Sequence, residues 1–313
     1  MSTVRHPPLT STNAKLGTRH SPLGAGLAPL ARPQGLLYLT WRRLRRDWFA
    51  LAGGAIVLLT LFLAVAAPVV APHDPLTQDS KIRLSPIGTE GHWLGTDGNG
   101  RDILSRLIYG SRTALLVASV PVLVAAVIGL AMGLVAGYSG GWVDSVLMRL
   151  ADILFAFPAI LLAIAIVAAL GPRLLNAMLA LAIVFIPAFA RLVRASVLSL
   201  REREFVIAAK ASGATIDRIL LRHILVNTLS TIVVFATLQT GQMIIFASAL
   251  SFLGLGVQPP TPDWGSMAND GRNSMLVAPW VTTLPGIAIF VVSVGFNLLG
   301  DGLRDALDPT LKA

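Results

Sequence analysis

The sequence predicts an all-α membrane protein in which six helices cross the bilayer. Hydrophobic residues make up 54% of the 313 residues and charged residues only 13%. With a mean hydropathy of +0.72, this balance is rare among soluble domains. The uncharged stretches are long enough to span a bilayer, which takes roughly 20 apolar residues. Basic residues are also concentrated in alternate loops, as in multi-span membrane proteins.

The uncharged stretches define the six predicted spans. They cover residues 48–72, 113–143, 153–172, 174–190, 224–262 and 273–300. The fourth is short unless its helix continues past Arg191 and Arg194, whose long stems can reach the interface. The fifth is too long for one span, and the prolines and glycines of its tail, GVQPPTPDWG, predict a loop. Residues 1–47 form a basic N-terminal segment, much of it predicted to be disordered.

The net charge of +9 is explained by membrane topology. If the N-terminus is cytoplasmic, the tail, the 2–3 and 4–5 loops and the C-terminus lie on one side, with 18 basic and 9 acidic residues. The other side carries 7 basic and 7 acidic residues. An excess confined to one side follows the positive-inside rule. Both termini are therefore predicted to be cytoplasmic, and no nucleic-acid partner is predicted.

No motif predicts an enzyme or a bound cofactor. The chain has no cysteine, and its four lysines follow no glycine-rich phosphate loop. No acidic residue or histidine lies within a predicted span, which argues against the proton relay of an ion-coupled secondary transporter. We therefore predict a chain without catalytic residues, without a metal site and without ATPase activity of its own.

The segment between the first two spans is predicted to be a solvated loop. Its GTDGNGRD sequence has three glycines and three charged residues in eight positions, which is typical of a tight turn in water. Asp102 is a candidate cap for the following helix. His73 and His92 share this side with Asp74 and Asp97, but their spacing matches no metal-ligand pattern.

The 4–5 loop contains the polar, small-residue stretch EFVIAAKASGA, residues 204–214. Its basic residues are Arg191, Arg194, Arg201, Arg203, Lys210, Arg218 and Arg222. Helical spacing places four residues on one face, namely Phe205, Ala208, Ala209 and Ser212. Gly213 is predicted to end this helix in a left-handed turn, with Thr215 as the next N-cap. The second helix is predicted to group Ile216, Ile219, Leu220 and His223 on one face.

Two interpretations of this loop are open. Both helices could lie on lipid headgroups, as interfacial helices do. A lipid-binding helix, however, presents bulky Leu, Trp or Phe, whereas this face is built mainly from small residues. Small residues allow another backbone or a groove to approach closely, which favours a protein partner.

The sequence AAKASG followed by RHILVN resembles the EAA loop of permease subunits of bacterial ABC importers. Ile207 stands where the motif name has Glu, and Val226 stands where Pro is usual. The resemblance implies that this loop docks in a cleft of a separate ATP-hydrolysing subunit. The ATPase-coupling residues it implies are Glu204, Phe205, Ala208, Ala209, Lys210, Ser212, Gly213 and His223.

Other stretches are similar to the dipeptide, oligopeptide, glutathione and nickel branch of that family, in its second permease type. They are HWLGTDGNGRDILSRLIYGSR, SFLGLGVQPPTPDWGSM and FNLLGDGLRDALDP. The resemblance implies a type I importer permease fold over residues 48–313, with a core at about 111–302, in the bacterial inner membrane. It implies import of short peptides, with nickel as the alternative. The implied partners are a second homologous permease, two ATPase subunits that hold ATP and Mg, and a periplasmic or lipid-anchored binding protein.

The fifth span carries a polar wedge. At helical spacing Thr228, Thr231, Gln239 and Gln242 fall within roughly an 80° arc. Because the fifth helix helps line the passage in the resembled family, these residues are pore-lining candidates. Hydrogen bonding to neighbouring helices is an equally good interpretation.

Overall fold

The computed structural model describes residues 44–307, and the helices of that range are numbered α1 to α9 in chain order. They are α1 Trp48–Val70, α2 Ile103–Ser139, α3 Gly141–Phe155, α4 Ala159–Leu170, α5 Leu174–Leu200, α6 Glu204–Ala211, α7 Ile216–Phe252, α8 Trp264–Gly271 and α9 Trp280–Leu307. Within residues 44–307 no β-strand forms. Of the predicted N-terminal segment 1–47, residues 1–43 lie outside the described range.

Five helices are long and apolar enough to cross a membrane, namely α1, α2, α5, α7 and α9. The bent pair α3 and α4 becomes a sixth span if it is counted as one. The six-span prediction therefore holds with the third span broken. The chain forms helices throughout because a backbone in lipid must satisfy its own hydrogen bonds.

The third span differs from the single helix predicted over residues 153–172. Helices α3 and α4 meet at 87°, with the break after Phe155. Pro158 is the N-cap of α4, and proline disfavours helical geometry in the residue before it. The break leaves α3 with one polar side, which carries Asp144 and Asp152.

The fourth span continues past its two arginines as far as Leu200. The helix thus continues past Arg191 and Arg194, as predicted, and both arginines pair with α3. Arg194 donates to both carboxylate oxygens of Asp144, at 2.5 and 2.6 Å, and Arg191 donates to Asp152 at 2.6 Å. The bidentate pair fixes α3 against α5, because it sets geometry as well as attraction.

Helices α2 and α5 form the most extensive helix–helix contact within residues 44–307. A glycine at every fourth residue of α2 faces α5, and a Cβ at any of them would lie within 3 Å of an α5 atom. The facing residues are Gly129 with Phe189, Gly133 with Val193, and Gly137 with Val197. The rising numbers show that α2 and α5 run parallel, which small residues at four-residue spacing permit in membranes.

The parallel pair fixes which loops share a side. Because α2 ends at Ser139 beside the end of α5, the α6 segment lies at that end of the molecule. Residues 72–102 and the segment after α7 lie at the opposite end, where Trp264 Nε1 donates to Leu107 O at 3.0 Å. This alternation is the one that six crossings require.

Helix α7 packs centrally and contains a local irregularity. The rings of Phe189 and Phe235 meet edge-on at 4.9 Å, and those of Phe185 and Phe246 at 5.4 Å, which joins α5 to α7. Near its start, Ile219–Ile224 form a π-helical turn. After Phe252 the predicted loop is present, and the short helix α8, which was not predicted, follows it. Asp263 caps α8 by accepting from Ser266 N at 2.9 Å.

Candidate functional site

The α6 segment is held to the body of the protein by one buried side chain. Val206 is fully buried and belongs to the main hydrophobic core. Its neighbours Phe205 and Ile207 are exposed. A single apolar anchor on an eight-residue helix leaves most of the helix surface available, as a docking element requires.

The exposed face of α6 matches most of the predicted one. Phe205, Ala208 and Ser212 are exposed, whereas Ala209 is half-buried because it lies nearer to the Val206 side. The Lys210 side chain points toward the end of α2, where its Nζ lies 5.3 Å from the centre of the Tyr138 ring. The centre of the free surface is therefore Ala208, flanked by the exposed Glu204.

Gly213 ends α6 in the predicted left-handed conformation, with φ of +78°. The turn is closed by two backbone hydrogen bonds, from Gly213 N to Lys210 O at 3.0 Å and from Ala214 N to Ala209 O at 3.1 Å. Ser212 Oγ also donates to Ala208 O at 2.8 Å. Together they satisfy the free carbonyls at the helix end.

The second helix of the loop differs from the prediction. Thr215 takes the extended N-cap conformation, but its side chain makes no capping bond. Ile216 is exposed, whereas Ile219, at which the π-helical turn begins, is buried. His223 is half-buried, and its ring lies 6.3 Å from that of Phe205. The π-helical turn thus brings His223 back against the first helix.

Exposed apolar side chains were missed by the sequence analysis. Ile207, Ile216 and Leu221 are each more than half exposed around the same loop. Ile207 replaces the Glu of the motif and adds to the apolar part of the surface. Ile207 points about 100° away from the buried Val206, so helical periodicity alone did not decide whether it is exposed.

The loop is also tied to the end of α2. Arg201 Nη1 donates to Gly137 O at 3.1 Å, and Gly137 is the last of the three glycines against α5. Lys210 reaches Tyr138 one residue further along. A force applied to α6 therefore reaches α2 and α5 through short, direct contacts.

The four pore-lining candidates of α7 are not equivalent. Thr231 and Gln242 are exposed, and Gln239 is half-buried. Thr228 is completely buried, and its Oγ1 donates to Ile224 O at 2.8 Å. Thr228 therefore does not line a surface of this chain, which corrects the prediction for that residue.

An open apolar groove of about 420 Å³ lies between α7, α8 and Ile289 of α9. Its lining residues include Ile245, Phe252 and Gly265. It runs along the half of α7 that follows Gln242. The groove and the exposed polar residues of α7 together form a surface that is unusual for a lipid-facing helix.

Six of the eight residues of the GTDGNGRD turn are buried and only Asn99 is exposed, which corrects the prediction of a turn in water. Asp97 accepts from Arg101 Nε and from Arg106 Nη1, each at 2.7 Å, and all three side chains are less than a tenth exposed. Arg101 Nη2 also donates to Asp270 Oδ2 of α8 at 3.3 Å. Because a buried charge is costly without partners, this cluster fixes the turn to α2 and α8.

Two aspartates near α8 have shifted titration. Burial raises the pKa of Asp263 above its ordinary value of 3.8, and its hydrogen bonds to Ser266, Ser251 and Gly265 oppose this. Burial likewise raises the pKa of Asp270, against the attraction of Arg101. Both groups therefore hold a proton more readily than a solvated aspartate does.

His73 and His92, at the end of the molecule opposite α6, were predicted to be solvated loop residues. In the structure both have side-chain partners, which corrects that prediction. Asp102 caps α2 through Ser105 N at 2.7 Å, as predicted. The Asp102 carboxylate also lies 2.9 Å from His92 Nδ1, through Oδ1, and 3.9 Å from His73 Nδ1, through Oδ2. The imidazole rings stack at 4.6 Å. The fold of the 72–102 segment brings the two histidines together, which their spacing in the sequence does not predict.

Comparison with known proteins agrees with this architecture. Residues 129–313 match the family described as binding-protein-dependent transport system inner membrane component. The chain belongs to this family. Residues 35–86 match the N-terminal TM domain of oligopeptide transport permease C. The chain is thus an inner-membrane permease, as the resemblance of its loop motifs implied.

Two relatives of this permease cover most of its length. The glutathione transport system permease protein GsiD of Pectobacterium atrosepticum is 49% identical over 87% of this chain and 91% of that protein. The dipeptide transport system permease protein DppC of Alkalihalophilus pseudofirmus is 48% identical over 87% and 90%. Among solved structures, an inward-facing MetNI methionine ABC transporter aligns with a TM-score of 0.53 at 19% identity, over 64% of this chain and 96% of that one. The fold is that of a type I ABC importer permease.

Proposed function

We propose that this permease is a subunit of an ATP-driven ABC importer that moves short peptides, glutathione among them, across the inner membrane. The observation that carries the proposal is the near-half identity to glutathione and dipeptide permeases over 87% of the chain. Similarity that includes the loops as well as the spans favours a shared task. Nickel, the alternative from the sequence, has no such support.

The α6 surface is the proposed contact with the ATPase. It is exposed around Ala208, Ser212 and Phe205, and it lies on the side that carries the basic excess, so the proposal places it in the cytoplasm. Its links through Arg201 and Lys210 to the end of α2 supply a path for motion into the membrane helices. Closure of the ATPase would then tilt the helices as rigid bodies.

The chain itself carries no phosphate-binding loop, so the energy source in this proposal is a pair of separate ATPase subunits that hold ATP and Mg. A second homologous permease covers the exposed polar residues Thr231 and Gln242 and the apolar groove beside them. A periplasmic or lipid-anchored binding protein delivers cargo to the opposite face. Thr231, Gln239 and Gln242 remain the proposed pore residues.

Uptake measurements test the cargo. A strain that lacks this gene is complemented with the intact chain, and uptake of labelled glutathione, a labelled dipeptide and radioactive nickel is compared. We expect the chain to restore uptake of glutathione or dipeptide and to leave nickel uptake unchanged. Restoration of nickel uptake alone would overturn the peptide proposal while leaving the permease assignment in place.

Purification tests the assembly. The tagged chain, extracted in mild detergent from cells that express the neighbouring genes, is expected to bring down a second permease and an ATPase. The doubly substituted Ala208→Asp, Ser212→Asp chain is expected to retain the second permease and lose the ATPase, because charge is placed only on the α6 face. Retention of the ATPase at the normal level would argue that α6 is an interfacial helix.

A further inference from the structure

Three metal-ligating side chains meet at the end of the molecule opposite α6. His73 follows α1, His92 lies 19 positions later in the chain, and Asp102 caps α2. One ligand atom from each lies within 4.8 Å of the other two. They come from three separate turns of the chain, so their convergence is a property of the fold and not of a short motif.

The cluster is pre-organised by Ser105, which is completely buried. Ser105 N donates to Asp102 Oδ2 at 2.7 Å, and Ser105 Oγ accepts from His73 N at 3.0 Å. One residue thus orients the carboxylate and holds the backbone of the first histidine. Outer contacts of this kind fix the first ligands in metal sites and contribute strongly to affinity.

The distances between the two histidines and Asp102 include one hydrogen bond and one longer separation that an ion can occupy. His92 Nδ1 is 2.9 Å from Asp102 Oδ1, but His73 Nδ1 is 3.9 Å from Oδ2, beyond hydrogen-bond reach. Bonds of about 2.0–2.1 Å in tetrahedral geometry place neighbouring ligand atoms about 3.3 Å apart. The two distances run to different oxygens of Asp102, and one ligand atom from each residue lies within 4.8 Å of the other two, so ion binding requires His73 to rotate toward the carboxylate.

The burial of the three residues is graded in a way that permits ion entry. The side chains of Asp102, His92 and His73 are 1%, 15% and 40% exposed. The carboxylate and one imidazole are thus protected, while the second imidazole borders solvent. An ion can enter beside His73 and keep a water molecule as its fourth ligand.

We propose that His73, His92 and Asp102 form a binding site for a divalent transition-metal ion of the zinc type. Two imidazoles and one carboxylate form a set that zinc accepts and that calcium and magnesium do not prefer. The ion would link three parts of the chain: the end of α1 through His73, the middle of the 72–102 segment through His92, and the start of α2 through Asp102. It is a resident ion of this end of the permease and is independent of the cargo.

The test is zinc binding by the purified full-length chain in detergent. Wild type is titrated with Zn²⁺ against a fluorescent chelator, beside His73→Ala, His92→Gln and the control His223→Ala at the opposite end. His73→Ala is the main variant, because its side chain is partly exposed and its backbone bond to Ser105 is kept. We expect one Zn²⁺ per chain in wild type and control, and affinity at least about tenfold lower in both site variants.

Thermal unfolding gives a second readout. An ion bound only by the folded chain raises the unfolding temperature, so Zn²⁺ is expected to stabilise wild type and His223→Ala but not His73→Ala. His6 and His20 are unchanged in every variant and cancel in the comparison, and His223→Ala shows the effect of losing a histidine outside the site. Equal zinc affinity and equal thermal shift in wild type and His73→Ala would overturn the site and leave a hydrogen-bonded histidine pair.

Discussion

Gly213 is the residue on which the shape of the α6 segment depends most directly. Its φ of +78° lies in the left-handed region, and a Cβ there would meet no atom within 4 Å. Any cost of substitution therefore comes from the backbone and not from crowding. An L-residue in this conformation costs about 1–2 kcal/mol, and a β-branched residue costs more.

We expect Gly213→Val to leave membrane insertion intact and to weaken coupling. The apolar spans supply the insertion free energy, whereas the strained turn moves the α6 face relative to the body. A cost of about 1–2 kcal/mol corresponds to a roughly 5- to 30-fold loss of the native loop conformation. The measurement is co-purification of the ATPase together with uptake of a labelled dipeptide.

The matched control is Gly213→Asn, because asparagine tolerates the left-handed region. It is expected to retain most ATPase binding and uptake. Valine and asparagine variants of equal activity would refute the role assigned to the turn.

Ala208 is the better site for a charge on the exposed α6 face than Ala209, since Ala209 is half-buried and its substitution would also disturb packing.

Asp263 gives the fold a pH dependence whose sign is determined by its raised pKa. The folded chain holds this proton more tightly than the unfolded chain does, so the carboxyl group stabilises the fold at low pH. That contribution is lost as pH rises from 3.8 through the raised pKa.

We expect Asp263→Asn to remove this dependence, because asparagine still caps α8 and carries no buried charge. Unfolding temperatures of the wild type and the variant are compared from about pH 4 to about pH 7. The stability of the variant relative to wild type should rise with pH. A relative stability that falls with pH would mean that the ionised carboxylate stabilises the fold.

At the level of elements, the α2–α5 contact tolerates little added volume. A Cβ at Gly133 would lie 2.6 Å from both Ala190 O and Val193 Cβ. A backbone atom cannot move away as a flexible side chain can, so the helices must separate. Since Arg201 before α6 donates to Gly137 O and Lys210 of α6 contacts the Tyr138 ring, separation of α2 from α5 would also displace the α6 surface.

We expect Gly133→Val to destabilise the folded chain by about 1–3 kcal/mol, the usual cost of overpacking. The control is Ala131→Val on the exposed side of α2, which should change stability little. The measurement is the unfolding temperature of each purified variant in the same detergent. If the two variants unfold at the same temperature, the close helix contact does not hold α2 against α5.

The whole molecule has two ends with different chemistry. The end with the α6 segment carries the basic excess, and the opposite end carries the buried Asp97–Arg101–Arg106 cluster and the histidine pair. Six crossings, with α3 and α4 counted as one, connect the two ends. This asymmetry agrees with the proposal that an ATPase contacts the α6 end and that a binding protein delivers cargo to the opposite end.

Reporter fusions test this orientation. A reporter that is active only in the cytoplasm is inserted at Lys210, and in a second chain at Glu90, both of which are exposed. We expect activity at Lys210 and none at Glu90, because positively charged loops remain in the cytoplasm. The reverse pattern would invert the proposed topology and, with it, the assignment of α6 to ATPase coupling.

Local composition and spacing were sufficient to predict much of this protein. Long uncharged stretches predicted the spans because crossing lipid depends on length and hydropathy. Gly213 was recognised as a helix end, and Asp102 as a cap, because both depend on a few neighbouring residues. The small-residue loop was recognised for the same reason, and its motif led to the family.

Only the tertiary structure decided the features that join distant parts of the chain. The pairing of Arg194 with Asp144, the burial of Thr228 and the meeting of His73, His92 and Asp102 depend on which helices become neighbours. Solvent exposure is likewise a property of neighbours, so the charged GTDGNGRD turn looked solvated in sequence and is buried in the fold. Periodicity along one helix reports its faces, whereas packing between helices determines what each face contacts.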